Sequence, residues 1–214
     1  IAEERGARGE LDAGKPCFFD VIYFDGETGK EALLLKEGYT AIRYFFSMVR
    51  PNLEDIPEAP MPEGLEVRPA KPEHYRMVWD AAQEAFRDHW SFVPEPEEEY
   101  QSWIRSPEFW PDLWKVAWDG DQIAGMVLSY ILESENREYN RKRGYTENIC
   151  VRRPWRKRGL ARSLIVQSLH KLKEMGMTEA ALGVDAENLS GALRLYESVG
   201  FRVIKRNASY RKPL

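Results

Sequence analysis

The sequence predicts an α/β fold, with helices layered on a β-sheet, on the basis of three observations. Stretches rich in β-branched and aromatic residues alternate along the chain with stretches of helical periodicity. Glycine and proline separate most of these stretches, as expected at the ends of elements. The predicted order over residues 65–214 is βααβββαβαβ, which is typical of a layered α/β domain.

The first 51 residues predict a short β-α-β segment behind a polar, glycine-rich arm at residues 1–16. Residues 17–24 and 39–49 are predicted strands, since β-branched and aromatic residues crowd together there. Residues 31–37 predict a helix that ends at Gly38, because glycine adopts the left-handed conformation of a helix cap without strain.

Residues 52–64 predict an extended linker at a domain boundary. Pro57, Pro60 and Pro62 lie in this segment, and each proline fixes φ and removes a backbone donor. We therefore expect a partial first domain over residues 1–51 and a complete second domain over residues 65–214.

The elements of the second domain follow from residue patterns. A long helix is predicted from Leu160 to Gly176, because apolar residues recur on one of its faces. Residues 133–144 are almost wholly polar and predict a loop. The other predicted elements are strands at 65–68, 113–118, 122–132, 145–151, 180–184 and 201–210, and helices at 72–86, 95–105 and 192–199.

Composition excludes several classes of function. With 31 basic and 35 acidic residues the net charge is -4, so no nucleic-acid partner is expected. No apolar run reaches the roughly 18 residues of a membrane-spanning helix, so no membrane partner is expected. Cys17 and Cys150 give no disulfide framework, and the three histidines are too widely spaced for a metal motif. We expect no metal and a cytoplasmic location.

Residues 152–162 form a basic segment between a predicted strand and the long helix. The segment holds five arginines and one lysine and has no acidic residue. The first N–H groups of a helix are unpaired and its dipole favours anions, while Gly159 lets a ligand approach the backbone. The segment therefore predicts a phosphate-binding cradle. It lacks the ending of a P-loop and the glycines of a dinucleotide-binding loop.

Two motifs carry a resemblance to a known family. Residues 151–161, Val-Arg-Arg-Pro-Trp-Arg-Lys-Arg-Gly-Leu-Ala, resemble the acetyl-CoA diphosphate loop of the GCN5-related N-acetyltransferase (GNAT) family. Residues 188–201, from Asn188 through Leu195-Tyr196 to Gly200-Phe201, resemble a second signature of that family. The resemblance covers about residues 65–214 and implies a mixed, mostly antiparallel central sheet flanked by helices.

The resemblance also implies an activity. The chain is expected to move an acetyl group from acetyl-CoA directly to a primary amine in a ternary complex. The acceptor would be a small molecule or a peptide, and the protein a monomer or a homodimer. Tyr196 is similar in position to the family's usual proton donor, and Glu147 to its frequent base. A base helps because an alkylamine with a pKa near ~10 is mostly protonated at neutral pH.

Binding roles are implied in the same way. The backbone of Ile149, Cys150 and Val151 would pair with pantetheine and polarise the thioester carbonyl. Trp90 and Phe92 are the candidates for an acceptor pocket, whereas core packing is expected for most other tryptophans. The expected contacts to the rest of CoA are Arg156, Lys157, Arg158, Gly159, Leu160, Ala161 and Asn188.

Structural alternatives remain open at several of these positions. Tyr196 is also compatible with a core aromatic, Asn188 with a helix cap, and Glu147 with a salt-bridged strand residue. Cys150 is not expected to act as a nucleophile, because no histidine lies near it in sequence. For the whole chain the alternatives are a non-catalytic acyl-CoA-binding sensor and a nucleic-acid-binding module, and the acidic total charge disfavours the latter.

An internal repeat is the last feature of the sequence. Gly38-Tyr39 and Gly200-Phe201 each follow a predicted helix and precede a predicted strand. We interpret residues 1–51 as the C-terminal half of a degenerate GNAT-like repeat, similar to the tandem arrangement of mycothiol synthase. Leu34 occupies the position that corresponds to Tyr196, so this repeat is expected to be structural.

Overall fold

The computed structural model describes residues 17–90, 92–188 and 191–214. The predicted arm at residues 1–16 lies outside the described residues, as do Leu189 and Ser190 of the second family signature. The described chain divides into two compact units. The first unit holds residues 17–47, 184–188 and 203–214, and the second holds residues 48–90, 92–183 and 191–202.

The first unit is a small α/β assembly. Its strands, in the order β1-β8-β2, are β1 (Phe18–Phe24), most of β8 (Arg202–Pro213) and most of β2 (Thr40–Arg50). Strands β1 and β8 are antiparallel, from Phe18 opposite Pro213 to Phe24 opposite Asn207. Helix α1 (Thr28–Lys36) contributes a leucine to the core, which comprises Tyr23, Leu34, Ala208 and Tyr210.

The second unit is built on a five-stranded sheet with the order β7-β6-β5-β4-β3. Neighbouring strands are antiparallel except for β6 and β7, which are parallel. The prediction of a mixed, mostly antiparallel sheet is therefore confirmed. The strands are β3 (Glu66–Arg68), β4 (Lys115–Asp119), β5 (Gln122–Tyr130), β6 (Arg143–Val151) and β7 (Glu179–Asp185).

Helices α2 (Tyr75–Phe86) and α5 (Leu160–Glu174) cover opposite faces of this sheet. The described residues of the second unit also form the helices α3 (Glu97–Trp103), α4 (Glu133–Glu138) and α6 (Ala192–Ser198). Val78 of α2 packs in one core cluster with Val116 and Met126 of the sheet. On the other face, a Cβ at Gly144 would collide with Leu172 of α5. The predicted flanking helices are thus present.

Helix α4 corrects the prediction of a loop over residues 133–144. No apolar periodicity marks this helix, so its sequence resembles a loop. Arg137 lies 3.6 Å from Glu133, a pair with helical i,i+4 spacing. Asn136 also closes the segment, since its side chain accepts from the N–H of Arg143 and donates to its carbonyl, each at 2.9 Å.

The predicted linker at residues 52–64 belongs to the second unit and lies along α5. Leu53 is 1% exposed, and Glu54 pairs with Lys173 at 2.8 Å. The guanidinium groups of Arg158 and Arg162 donate to the carbonyls of residues 63 and 58. The prolines predicted the absence of regular structure here, but they carry no information about packing. The second compact unit begins at residue 48, and the predicted domain boundary at residues 52–64 stays a prediction.

The repeat interpretation concerns β1, α1 and β2. Their β-α-β order is the same as that of β7, α6 and β8. The degenerate GNAT-like repeat over residues 1–51 stays a prediction.

Candidate active site

A β-bulge in β6 determines which side chains share a face of the sheet. The pairing register places two residues of β6, Asn148 and Ile149, opposite Val127 alone. Asn148 has a φ of 48°, a left-handed conformation in which asparagine is enriched. Residues three apart on a regular strand point to opposite faces. The bulge instead brings Glu147 and Cys150 to the same face.

The carboxylate of Glu147 lies where the pairing of β6 with β7 ends. Backbone pairing covers residues 143–145 and 179–181, and beyond it Oε1 of Glu147 accepts a hydrogen bond from the N–H of Gly183 at 3.0 Å. Burial raises the pKa of Glu147 to about 7, with a further rise from the charge of Glu108 and an opposing effect of the Gly183 bond. A carboxylate with this pKa suits a general base at neutral pH.

Tyr196 of α6 lies close to Glu147 and Cys150. The residue is buried, and its ring packs edge-on to Phe201 with the centroids 6.4 Å apart. Burial raises the pKa of Tyr196 above its ordinary value, and negative charge at Glu147 and Cys150 raises it further. The phenol therefore stays protonated at neutral pH and has a proton to donate. The residue is a core aromatic and a candidate acid at once.

Cys150 is unsuited to nucleophilic catalysis in this site. Its side chain is buried, and burial raises the pKa of the thiol to about 12, against the lowering effects of a hydrogen bond to the Met126 backbone and of Arg156. The thiolate is the nucleophilic form of cysteine, and almost none exists at neutral pH with such a pKa.

A cleft of about 650 Å³ opens beside this group of residues. Leu128 and Asn148, the β5 and β6 residues next to Glu147 in the sheet, both line it. Its walls include Trp79, Phe86, Phe92, Pro94 and Trp103.

The cleft contains one of the two predicted pocket residues. Phe92 lines it, whereas Trp90 is 39% exposed and lies outside the described lining. The cleft also takes Trp79 and Trp103, which sequence reasoning grouped with tryptophans expected mostly in the core. Trp103 lines the cleft and also packs in the core, because its ring stacks on Trp114 with the ring centroids 5.3 Å apart.

Among the residues that the structure describes, three polar side chains line the cleft, namely Gln83, Glu95 and Asn148. Gln83 fixes the loop that carries Glu95, since it donates to the carboxylate at 3.0 Å and accepts from the backbone N–H of Glu95 at 3.2 Å. Sequence reasoning missed Gln83 and Asn148. Gln83 faces the cleft because of its position on the surface of α2, which its residue type does not indicate. The bulge that exposes Asn148 leaves no pattern in the sequence.

Arg156 of the basic segment is engaged by the protein itself. Its guanidinium donates to the carbonyl of Val151 at 2.9 Å, to Asp88 at 2.8 Å and to the carbonyl of Ala85 at 3.1 Å. Arg153 also binds Asp88, whose pKa is held far below its usual range by the hydrogen bonds from the two arginines. Arg156 thus links the end of β6 to the end of α2.

Arg152 makes a similar link. It donates to Glu84 of α2 at 2.9 Å and to the carbonyl of Ile123 at 2.9 Å. The basic segment has no acidic residue of its own. Its carboxylate partners are Glu84 in α2 and Asp88 just after α2. These pairings connect residues 65 to 68 positions apart, which no local pattern predicts.

The start of α5 supplies backbone donors. Gly159 is its N-cap with a φ of 85°, and the first bond of the helix runs from the N–H of Ser163 to the carbonyl of Gly159 at 3.2 Å. The N–H groups of Leu160 and Ala161 precede that bond and have no partner within the helix. Lys157 and Arg158 are exposed beside them. This set of donors and cations fits a diphosphate.

The end of β6 supplies a donor as well. The N–H of Arg152 bonds to the carbonyl of Ala124 in β5 at 3.0 Å. Successive N–H groups of a strand alternate in direction, so that of Val151 points away from β5. A thioester carbonyl on that side of β6 would meet this donor, and the roles that the resemblance implies for Ile149, Cys150 and Val151 stay predictions.

Asn188 belongs to the first unit, where its N–H bonds to the carbonyl of Asp185 at 3.1 Å. Gly191, not Asn188, occupies the N-cap of α6. The proposed contact of Asn188 with CoA stays a prediction.

Metal clusters and membrane-spanning helices are both absent from the residues that the structure describes. Among them, no group of three histidine, cysteine, aspartate or glutamate side chains is placed to hold a metal ion. No helix in this part of the chain has both the length and the apolar character needed to cross a membrane.

The chain resembles known acetyltransferases in sequence. It is 29% identical over 184 residues to mycothiol acetyltransferase of Streptomyces bingchenggensis, covering 81% of this chain and 56% of that protein. It is 31% identical over 101 residues to N-alpha-acetyltransferase 30 of Dictyostelium discoideum, covering 47% of this chain and 52% of that protein. The chain thus spans little more than half the length of these curated relatives.

Solved structures show the same fold. A GCN5-related N-acetyltransferase from Sphaerobacter thermophilus matches with a TM-score of 0.79 and 28% identity, over 99% of this chain and 65% of that one. A tandem GNAT protein from the clavulanic acid biosynthesis pathway matches with a TM-score of 0.65 at 13% identity, over 99% of this chain and 68% of that one. The second likeness concerns the fold alone.

The sequence model of one family covers more than half of the chain. The acetyltransferase (GNAT) family matches residues 75–201, which include β6, the basic segment, α5 and Tyr196. The resemblance found in the sequence is thereby confirmed: the chain belongs to the acetyltransferase (GNAT) family.

Proposed function

We propose that this chain transfers the acetyl group of acetyl-CoA directly to a primary amine while both substrates are bound. One observation carries the proposal. The bulge in β6 brings Glu147, with a pKa of about 7, to the face that adjoins the cleft and Tyr196. A base and a protonated phenol at one site are the two proton-handling groups that amine acetylation needs.

Glu147 and Tyr196 handle the two protons that move in the proposed reaction. The nitrogen of the neutral amine attacks the acetyl carbonyl, and Glu147 takes the proton that the nitrogen loses as the C–N bond forms. Tyr196 gives its proton to the sulfur as the C–S bond breaks, and loss of a proton from Glu147 and return of one to the phenolate, through solvent, reset both groups. The raised pKa of Glu147 makes it basic enough for the first step, and the raised pKa of Tyr196 keeps the phenol protonated until the second.

Acetyl-CoA supplies an activated acetyl thioester, and the chain's own residues would hold and orient it. The first-turn N–H groups at Leu160 and Ala161 and the side chains of Lys157 and Arg158 are suited to the diphosphate. The N–H of Val151 is suited to the thioester carbonyl. Arg156 supports this set indirectly, because its guanidinium already has three protein partners.

Direct transfer is favoured over transfer through the enzyme. A covalent route needs a nucleophile on the same face, and Cys150 is the candidate there. Its pKa of about 12 leaves the thiol protonated and unreactive. The names of the relatives, mycothiol acetyltransferase and N-alpha-acetyltransferase, support a small-molecule or peptide amine as the acceptor.

Steady-state kinetics with both substrates varied tests this proposal. We expect CoA release with a panel of amines, and reciprocal plots whose lines intersect. Parallel lines would indicate a covalent acetyl-enzyme and contradict direct transfer. Binding of acetyl-CoA without CoA release for any amine would instead support the non-catalytic acyl-CoA-binding sensor.

A further inference from the structure

The cleft beside Glu147 is lined mostly by apolar residues. Nine of its twelve described lining residues are apolar. The aromatic rings of Trp79, Phe86, Phe92 and Trp103 make up much of this surface. Such a lining gains free energy by covering apolar groups, and aromatic faces favour a flat or ring-shaped partner.

The charge of the described lining is negative. Glu95 is the charged member of the described lining, and no lysine or arginine is part of that lining. Gln83 holds Glu95 through two hydrogen bonds, and no lysine or arginine in the described part of the chain forms an ion pair with this carboxylate. Glu147 lies next to the lining residues Leu128 and Asn148 in the sheet.

Both features select among amines. An acceptor with a carboxylate or phosphate beside its amine would bring an anion to an acidic surface that offers no cation in return, which costs free energy. An acceptor with a cationic or neutral head and an apolar substituent would meet complementary groups at both ends.

We infer that the acceptor, given the proposed acetyl transfer, is an amine that carries an uncharged apolar or aromatic substituent and no adjacent anionic group. The substituent packs among Trp79, Phe92 and Trp103. Glu95 excludes anions and receives a cationic or hydrogen-bond-donating group of the acceptor.

Three matched amines test the inference. 2-Phenylethylamine has the ring and no anion, ethylamine lacks the ring, and phenylalanine adds a carboxylate. The measurement is kcat/KM for each amine, corrected for its fraction of neutral amine. We expect 2-phenylethylamine to exceed each of the other two by at least about tenfold, in line with burial of a ring and rejection of an anion.

Glu95→Gln separates the charge from the shape of the cleft. Glutamine keeps the hydrogen-bonding capacity toward Gln83 and removes the negative charge. We expect the preference for 2-phenylethylamine over phenylalanine to fall by at least about threefold in this variant. Glu98→Gln is the matched control, because Glu98 is exposed in the first turn of α3 and lies outside the described lining. Its preference should equal that of the wild type.

The outcomes distinguish this inference from the proposed function. Turnover of phenylalanine or ethylamine as efficient as that of 2-phenylethylamine overturns the inference and leaves acetyl transfer intact. An unchanged preference in Glu95→Gln overturns the role of Glu95. If acetyl-CoA binds, as calorimetry would show, and yet no amine is acetylated, the proposed function fails and this inference fails with it.

Discussion

Oε1 of Glu147 lies 3.0 Å from the backbone nitrogen of Gly183, just past the point where β6 and β7 stop pairing. Past that point a side chain of β6, rather than its backbone, bonds to the backbone of β7. The same position is buried enough to raise the pKa of the carboxyl to about 7. The relationship joins the local structure of the sheet to the proton chemistry of the candidate site.

Glu147→Gln should stabilise the protein in a pH-dependent way. The pKa of Glu147 rises from 4.5 to about 7 on folding. Between these values the folded state binds more protons than the unfolded state, so the contribution of Glu147 to stability is lost as pH rises through this window. Glutamine still accepts from Gly183 and has no charge to bury. We expect its free energy of unfolding to exceed that of the wild type by on the order of 1 to 3 kcal/mol at pH 8.

Urea denaturation at pH 4.5 and at pH 8 measures this effect. The difference between wild type and variant should shrink toward zero at the lower pH. Glu98→Gln, at an exposed position, should show no such trend. If the difference in free energy of unfolding between wild type and variant does not depend on pH, burial does not raise the pKa of the Glu147 carboxyl.

Tyr196→Phe should keep acetyl-CoA binding and lose turnover. The variant removes one hydroxyl from a buried ring whose packing on Phe201 stays possible. We expect an unchanged Kd for acetyl-CoA and a kcat lowered by at least about tenfold, the lower end of general acid catalysis. Tyr139→Phe, at a residue that is 59% exposed, is the control. Wild-type turnover in Tyr196→Phe would remove this residue from the mechanism.

Gly159→Val should weaken CoA binding more than its effect on folding explains. Gly159 has a φ of 85° and open space where a Cβ would lie, so valine would strain the backbone and project toward an approaching diphosphate. Gly176, at the other end of α5, has a φ of 78° and equally open surroundings. Both valine variants should lose about 1 to 2 kcal/mol of stability.

Only Gly159→Val should raise the Kd for CoA in calorimetry, by at least about tenfold, because backbone donors at a helix start act only on a ligand that can reach them. Equal affinity in the two variants would place the diphosphate elsewhere.

Asp88→Asn should loosen the basic segment without touching the proton-handling groups. Asp88 binds both Arg153 and Arg156, and Arg156 in turn holds the carbonyl of Val151. We expect the KM for acetyl-CoA to rise by about three- to tenfold, while kcat stays within about twofold of the wild type. This pattern is expected when the lost interaction binds the ground state and the transition state equally well. Partly exposed pairs contribute little to folding, so stability should fall by at most about 1 kcal/mol.

Asp80→Asn provides the comparison for Asp88→Asn. Asp80 lies in α2 and pairs with Arg76 at 3.0 Å, away from the basic segment. It should leave the KM for acetyl-CoA unchanged. An equal change in the two variants would indicate a general effect on α2 rather than positioning of the segment.

Sequence reasoning reached the parts of the site that are local in the chain. The strand that ends near Val151, the turn at Gly159 and the helix behind it form one continuous stretch, and its pattern predicted each element. Tyr196 and Glu147 were found through the family resemblance, and the structure places Tyr196 close enough for the charge of Glu147 to act on it. The elements of the continuous stretch depend on neighbours within a few residues, whereas the approach of Tyr196 to Glu147 depends on the fold.

The rest of the site depends on contacts that the sequence does not encode locally. Arg156 was expected to bind CoA, yet its guanidinium bonds to Asp88 and Ala85, which lie 68 and 71 residues earlier. The bulge at Asn148 depends on how β5 and β6 align. The segment at residues 52–64 has the composition of a linker and packs on α5 because Leu53 finds a buried position there.

The pH dependence of acetyl transfer tests the central claim, that Glu147 acts as the base, most directly. The measurement is kcat/KM for 2-phenylethylamine between pH 5.5 and pH 9, corrected for the fraction of neutral amine, in the wild type and in Glu147→Gln. The wild type should show an inflection near the carboxyl's pKa of about 7, and the variant should lose the inflection and at least about tenfold in rate at pH 8. The same inflection and the same rate in both proteins would contradict the account.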